Sequence, residues 1–90
     1  MKADLIEDLV GRNVFVRTVT YHYTGRLETY NKHWLMLSDA AWIADSGRFA
    51  DFLTHGEASE VEPYPDACFV SRGSVVDISL FVHPLPRIQK

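Results

Sequence analysis

One cysteine, Cys68, is too few for an internal disulfide, so stability must come from packing and a reducing, cytoplasmic setting is expected. No apolar run approaches the roughly 20 residues of a membrane-spanning helix. The opening stretch MKADLIEDLV is too acidic, and its apolar run too short, to read as a secretory signal. Metal-ligand spacing is missing as well: His22, His33, His55 and His83 are scattered, with no two histidines one helical turn apart. Asp39, Asp45 and Asp51 do not compose an acid/base pair for hydrolysis. Neither an enzyme nor a bound cofactor is expected. Basic residues are absent from one region, since residues 51–66 carry five acids and no lysine or arginine.

What is present is ordinary for a globular chain. Its 90 residues are 47% apolar and 23% charged, enough for a single domain over residues 1–90 with one modest core. The formal charge is −3, from nine bases and twelve acids. Outside residues 51–66 the nine bases face seven acids, a mildly basic balance that permits phosphate contact on one face.

Asp4 is placed to cap a short helix, with Glu7 three residues later. Leu5, Ile6, Leu9 and Val10 then share one face, and Gly11 suits the exit. From Asn13 the period becomes two, predicting strands over residues 13–19 and 22–30. Gly25 inside the second of these signals a bulge, a sharp bend or a close backbone approach. Asn31-Lys32-His33 is a tight polar break before a third strand over residues 34–39, with a continuation toward Ile43 in reach of the pattern. Residues 44–65 read as an insertion. Asp45 or Ser46 caps a helix ending at His55 and Gly56, with Phe49, Phe52 and Leu53 as its buried stripe, and an acidic loop closes at Pro63-Tyr64-Pro65. Two last strands, residues 67–71 and 75–82, flank Arg72-Gly73-Ser74. An extended tail follows, its prolines blocking further ladder pairing.

This order of elements resembles that of the Sm and Sm-like family. Thr24-Gly25-Arg26-Leu27 is similar to the Gly-x-Leu centre of the first Sm motif, Asn31-Lys32-His33 to its Asp-x-His turn, and Leu35-Met36-Leu37-Ser38-Asp39-Ala40 to its closing strand. Phe69-Val70-Ser71-Arg72-Gly73 followed by Val75-Val76-Asp77-Ile78 resembles the second motif. The resemblance covers roughly residues 4–43 and 66–82, and suits a divergent member of bacterial or phage type. It implies a mainly β fold: a five-stranded, strongly bent, open Sm-like (SH3-like) barrel, with a short N-terminal helix and a helical insertion between strands three and four. Three features depart from the pattern. The asparagine that follows the His turn and reads an RNA base in the family is missing, the Arg-Gly loop has only Ser74 before the apolar run, and no glycine marks the turn at Thr20-Tyr21.

By that resemblance, Asn31, His33, Trp34, Arg72 and Gly73 are the candidate RNA-binding residues. Each also has a plainer reading. Arg72 either stacks on a base and holds phosphate or bonds neighbouring carbonyls inside its hairpin. His33 either supports a base or is surface. Trp34 is read as packed in the core or at a subunit contact ahead of serving as a stacking platform. Gly73 is read as a turn residue with φ > 0. Cys68 is read as inert core.

Two functions from different classes follow. One is a homo-oligomeric ring, joined through the last two strands, that binds single-stranded RNA near the pore. The other is an oligomeric interaction or structural module that keeps the fold without the RNA pocket.

Overall fold

The alternation that begins at Asn13 forms β1 (Asn13–Thr18) of the structure, a computed structural model that describes residues 5–90. Three consecutive residues of β1, Val14, Phe15 and Val16, are all buried, so the strand is covered on both faces. β2 (His22–Tyr30), β3 (Trp34–Asp45), β4 (Glu60–Pro63), β5 (Cys68–Ser71) and β6 (Val75–Leu80) complete one antiparallel sheet. Its order is β4-β3-β2-β1-β6, and β5 also pairs with β3. The first part of β3 pairs with β5 (Leu35 opposite Val70) and the second with β4 (Ile43 opposite Val61). The sheet is strongly bent and does not close, and the architecture is mainly β as expected.

The bend has a local cause. Between Thr24 and Arg26 on β2 stands only Gly25, while Asp39 and Ala40 lie between their partners Ser38 and Ala41 on β3, so β3 carries one extra residue. A Cβ on Gly25 would lie 3.0 Å from Leu37 Cβ and 3.2 Å from the Ser38 carbonyl oxygen. Asp39 takes up the surplus at φ 47°, a left-handed conformation that aspartate tolerates better than most residues.

Two cores result. The inner one gathers Val14, Val16, Leu27, Leu35, Leu37 and Val70, roofed by a 3-10 turn, Ile6–Leu9, whose Leu9 is buried. In that turn the Asp8 carboxylate accepts the Leu5 amide (3.0 Å). The cap proposed at Asp4 lies outside the described residues. Leu5 and Val10, assigned to the buried face, are exposed, because a single 3-10 turn does not present a four-residue apolar stripe.

The outer core is built by the insertion. Phe15, Ala41, Ile43, Phe52, Val61 and Phe81 meet on the other side of the sheet. The inserted helix is real but shorter than expected: α1 (Phe49–His55) begins late because Asp45 Oδ1 accepts the Gly47 amide (2.7 Å) and Gly47 turns at φ 74°. Gly56, at φ 76°, ends it as foreseen. Of the expected stripe only Phe52 is buried; Phe49 and Leu53 are 41% and 47% exposed. Two turns of helix lie on a curved sheet with one ring, Phe52, fully buried. The acidic stretch after it contains a sixth strand, β4, in which Val61 points inward between exposed Glu60 and Glu62. No helix among the described residues is long and apolar enough to cross a membrane.

Candidate functional site

The candidate residues lie on two turns at one end of the sheet. In the β2–β3 turn, Asn31 Oδ1 accepts the amides of His33 (2.8 Å) and Trp34 (2.9 Å), and the Asn31 amide donates to the Trp34 carbonyl (3.0 Å). An asparagine side chain imitates a backbone turn in this way, which lets three residues reverse the chain without glycine. Lys32 and His33 are exposed at the turn.

The β5–β6 turn is a 3-10 turn, Arg72–Ser74, in which Ser74 Oγ donates to the Ser71 carbonyl (2.8 Å). Arg72 bonds it to the other turn at two points. Its amide donates to the His33 carbonyl (2.9 Å), and its Nη1 donates to the Asn31 carbonyl (2.7 Å). The guanidinium also lies 5.7 Å from the centre of the Tyr30 ring, within cation–π range. The Arg72 side chain thus bonds a carbonyl of the other turn and not one of its own hairpin, and this bond engages one of its five N–H donors. Two turns 41 residues apart are joined by both the backbone amide and the side chain of Arg72. Neither residues 29–37 nor residues 67–76 contain an acid, so Lys32 and Arg72 are uncompensated within these two segments.

Gly73 corrects its expectation. It is not among the glycines with positive φ, and an added Cβ would meet only Ser71 Oγ at 3.7 Å. The turn does not require glycine there. Trp34 also differs from the core reading: it is 47% exposed, opposite Ser71 on the outer face. Beside it stand Met36 and Phe69, itself 60% exposed, around a hollow of about 120 Å³. Phe69 and Tyr30 escaped sequence reasoning. The signal was the alternation in β5, where Cys68 and Val70 point inward and Phe69 therefore points out.

Cys68 is buried beneath this face, and burial pushes its thiol pKa up, so the thiolate needed for nucleophilic chemistry is disfavoured. Burial, with Cys68 and Tyr23 close by, pushes Tyr64 up to about 12. Among the described residues no three His, Cys, Asp or Glu side chains are grouped to hold a metal ion.

The chain matches no protein-family model, and no curated protein sequence matches it. Its structure is similar to that of a heptameric archaeal Sm protein, with a TM-score of 0.61 and 24% identity over 82% of this chain and 91% of that one. The fold is the Sm fold. In this chain of Sm fold, β1, β2, β3, β5 and β6 supply the five barrel strands, while α1 and β4 are the insertion. His33 and Arg72, far apart in sequence, meet through the backbone bond between their turns. Asn31 joins them through its carbonyl, with its side-chain oxygen spent on the turn.

Proposed function

We propose that this Sm-like chain assembles into a closed ring of identical subunits and binds single-stranded RNA at the paired turns. The observation that carries the reading is the Arg72 clamp, which sets a permanently charged, planar group against the Asn31 carbonyl and the Tyr30 ring, at the turn that exposes Lys32 and His33. Guanidinium binds phosphate oxygens and stacks on bases, and an exposed indole adds a stacking surface. Ring assembly is supported by the sheet edges. Within the described chain β5 pairs only with β3 and β6 only with β1, so each offers an unpaired edge. Phe69 and Val76, exposed on those strands, would be covered by a head-to-tail contact, which closes into a ring when its rotation permits. The similar archaeal protein is heptameric. The reading has no catalytic step and sets the protein in the cytoplasm.

Titrating oligo-uridine, oligo-adenosine and oligo-cytidine against wild type and Arg72→Ala tests it. Binding should fall steeply with salt, and Arg72→Ala should weaken it for every sequence. Base discrimination should be poor, because Asn31 Oδ1 already accepts two amides. That same observation favours a second reading, an oligomeric interaction module without an RNA pocket. Wild type that binds no oligonucleotide at low salt would establish it over the first. Light scattering tests assembly: a monomeric mass at micromolar protein would refute the ring, and normal assembly of Val76→Pro, which loses a ladder donor, would refute the assigned interface.

A further inference from the structure

The segment after β6 does not simply run off the fold. Phe81 is buried in the outer core, and His83 Nε2 lies 2.8 Å from the Leu53 carbonyl at the end of α1. From Pro84 onward the chain crosses to β4, whose inner edge is taken by β3. Val61 and Lys90 exchange two backbone hydrogen bonds, of 3.3 and 3.0 Å, as a pair in an antiparallel ladder does. Gln89 Nε2 reaches Glu62 (3.3 Å), Lys90 Nζ reaches the Ala58 carbonyl (3.2 Å), and Arg87 donates to the carbonyls of Ala40 and Tyr64. Leu85 packs on the outer core.

Three features mark this as a docked and replaceable strap. Its charge is complementary to its seat: residues 78–90 contain Arg87 and Lys90 and no acid, while the seat carries Glu57, Glu60 and Glu62. Its fit is loose, since a hollow of about 300 Å³ remains between Ala58, Val61, Leu85 and Lys90, and Ile88 is 79% exposed. Its pairing uses an open strand edge, which any extended chain of suitable sequence can occupy.

We propose that the β4 edge and its acidic rim form a docking groove for residues 84–90 of a second copy, and that each chain's own strap fills the groove when copies are dilute. A segment that fits its own groove fits the identical groove of a neighbour, the general route to exchange of an element between copies. The contact is separate from the β5 and β6 edges, so its fate does not depend on the ring. Tethering gives the strap an effective concentration on the order of 1 mM. For a trans affinity of roughly 100 µM, the resident strap then weakens an incoming one about tenfold.

The test uses the full chain and a fluorescein-labelled synthetic peptide of residues 84–90, followed by fluorescence anisotropy. Arg87→Glu sets an acid against the acidic rim and frees the groove, so this variant should bind the peptide about tenfold more tightly than wild type. Adding Glu60→Lys and Glu62→Lys, both at exposed positions, should abolish that binding. Arg87→Ala should respond in between, and it keeps the measurement readable if Arg87→Glu does not fold. Equal binding of a scrambled peptide would reduce the contact to charge attraction and overturn the proposal. So would a folded, strap-loosened variant that binds no better than wild type.

Discussion

Phe52→Ala isolates the contribution of the insertion to stability. The ring is fully buried, 4.8 Å from the Phe15 ring and 5.5 Å from that of Phe81. It therefore joins α1, β1 and the segment after β6. Burying a phenylalanine removes roughly 150–250 Å² from water, worth about 4–6 kcal/mol at 25 cal/mol/Å² as an upper bound. Mutational series put Phe→Ala in cores at about 3–5 kcal/mol, and the lower end is the safer expectation for a helix of two turns that is free to relax. For a domain of this size, a loss of about 3 kcal/mol lowers the thermal midpoint by roughly 12–24 °C. Leu53→Ala, one residue on but half exposed, should cost less than about 1 kcal/mol. Urea and thermal unfolding of both variants, at one protomer concentration so that assembly does not shift the baseline, measure the difference. If the two substitutions cost the same, the outer core is not a core. A small effect of Phe52→Ala alone would mean that the insertion is an ornament on a barrel stable without it.

Gly25→Ala should destabilise the fold by about 1–3 kcal/mol in denaturant titration, because its Cβ would meet Leu37 Cβ at 3.0 Å and backbone at 3.2 Å with little freedom to yield. Asp77 receives Arg17 Nε at 2.9 Å, and that bond holds its carboxyl below the usual range. The pair's contribution is therefore complete above the ordinary carboxylate pKa and is lost as pH falls through the lowered folded value. Asp77→Asn should flatten stability between neutral and acid pH, more visibly at low salt because the pair is exposed. An unchanged pH profile would show that the pair contributes nothing. Cys68 should react with a thiol reagent no faster than the protein opens, since its thiol is buried and its pKa raised; rapid labelling of folded protein at neutral pH would contradict the packing of β5.

The barrel was legible in the sequence where period and chemistry agreed. Val14, Val16, Leu27, Leu35 and Leu37 alternate as an inward face should, and Gly25 marked the corner. Legibility failed where a residue answers to a distant partner. Glu60-Val61-Glu62 is a strand because β3 runs on to Asp45 and offers an edge, yet two glutamates beside a proline read locally as loop. The helical stripe failed because only Phe52 is buried against the sheet, while Phe49 stays 41% exposed, tilted against the Phe15 ring at 6.2 Å and under the Arg17 guanidinium. At the site, the meeting of Asn31, His33 and Arg72 was expected from motif order. The structural duty of Asn31 Oδ1, and the ordinary backbone of Gly73, follow from turn geometry that the residue names do not determine.

The left-handed Asp39 has a consequence for how this chain tolerates changes of length. Leu35, Leu37 and Ala40 face the inner core, whereas Ala41 and Ile43 face the outer one, so inward residues pass from odd to even at this point. Removing one residue from a strand ordinarily turns every later side chain to the opposite face. Between Ser38 and Ala41 the strand already carries one residue more than β2 sets opposite it. Loss of Asp39 would leave Ala40 facing inward and Ala41 and Ile43 facing outward, with a regular ladder opposite Gly25. An insertion of one residue at the same place would have no such slack and would exchange the hydrophobic contents of the two sides. The long strand is thus lenient to shortening and strict against lengthening at a position where substitution alone would reveal neither.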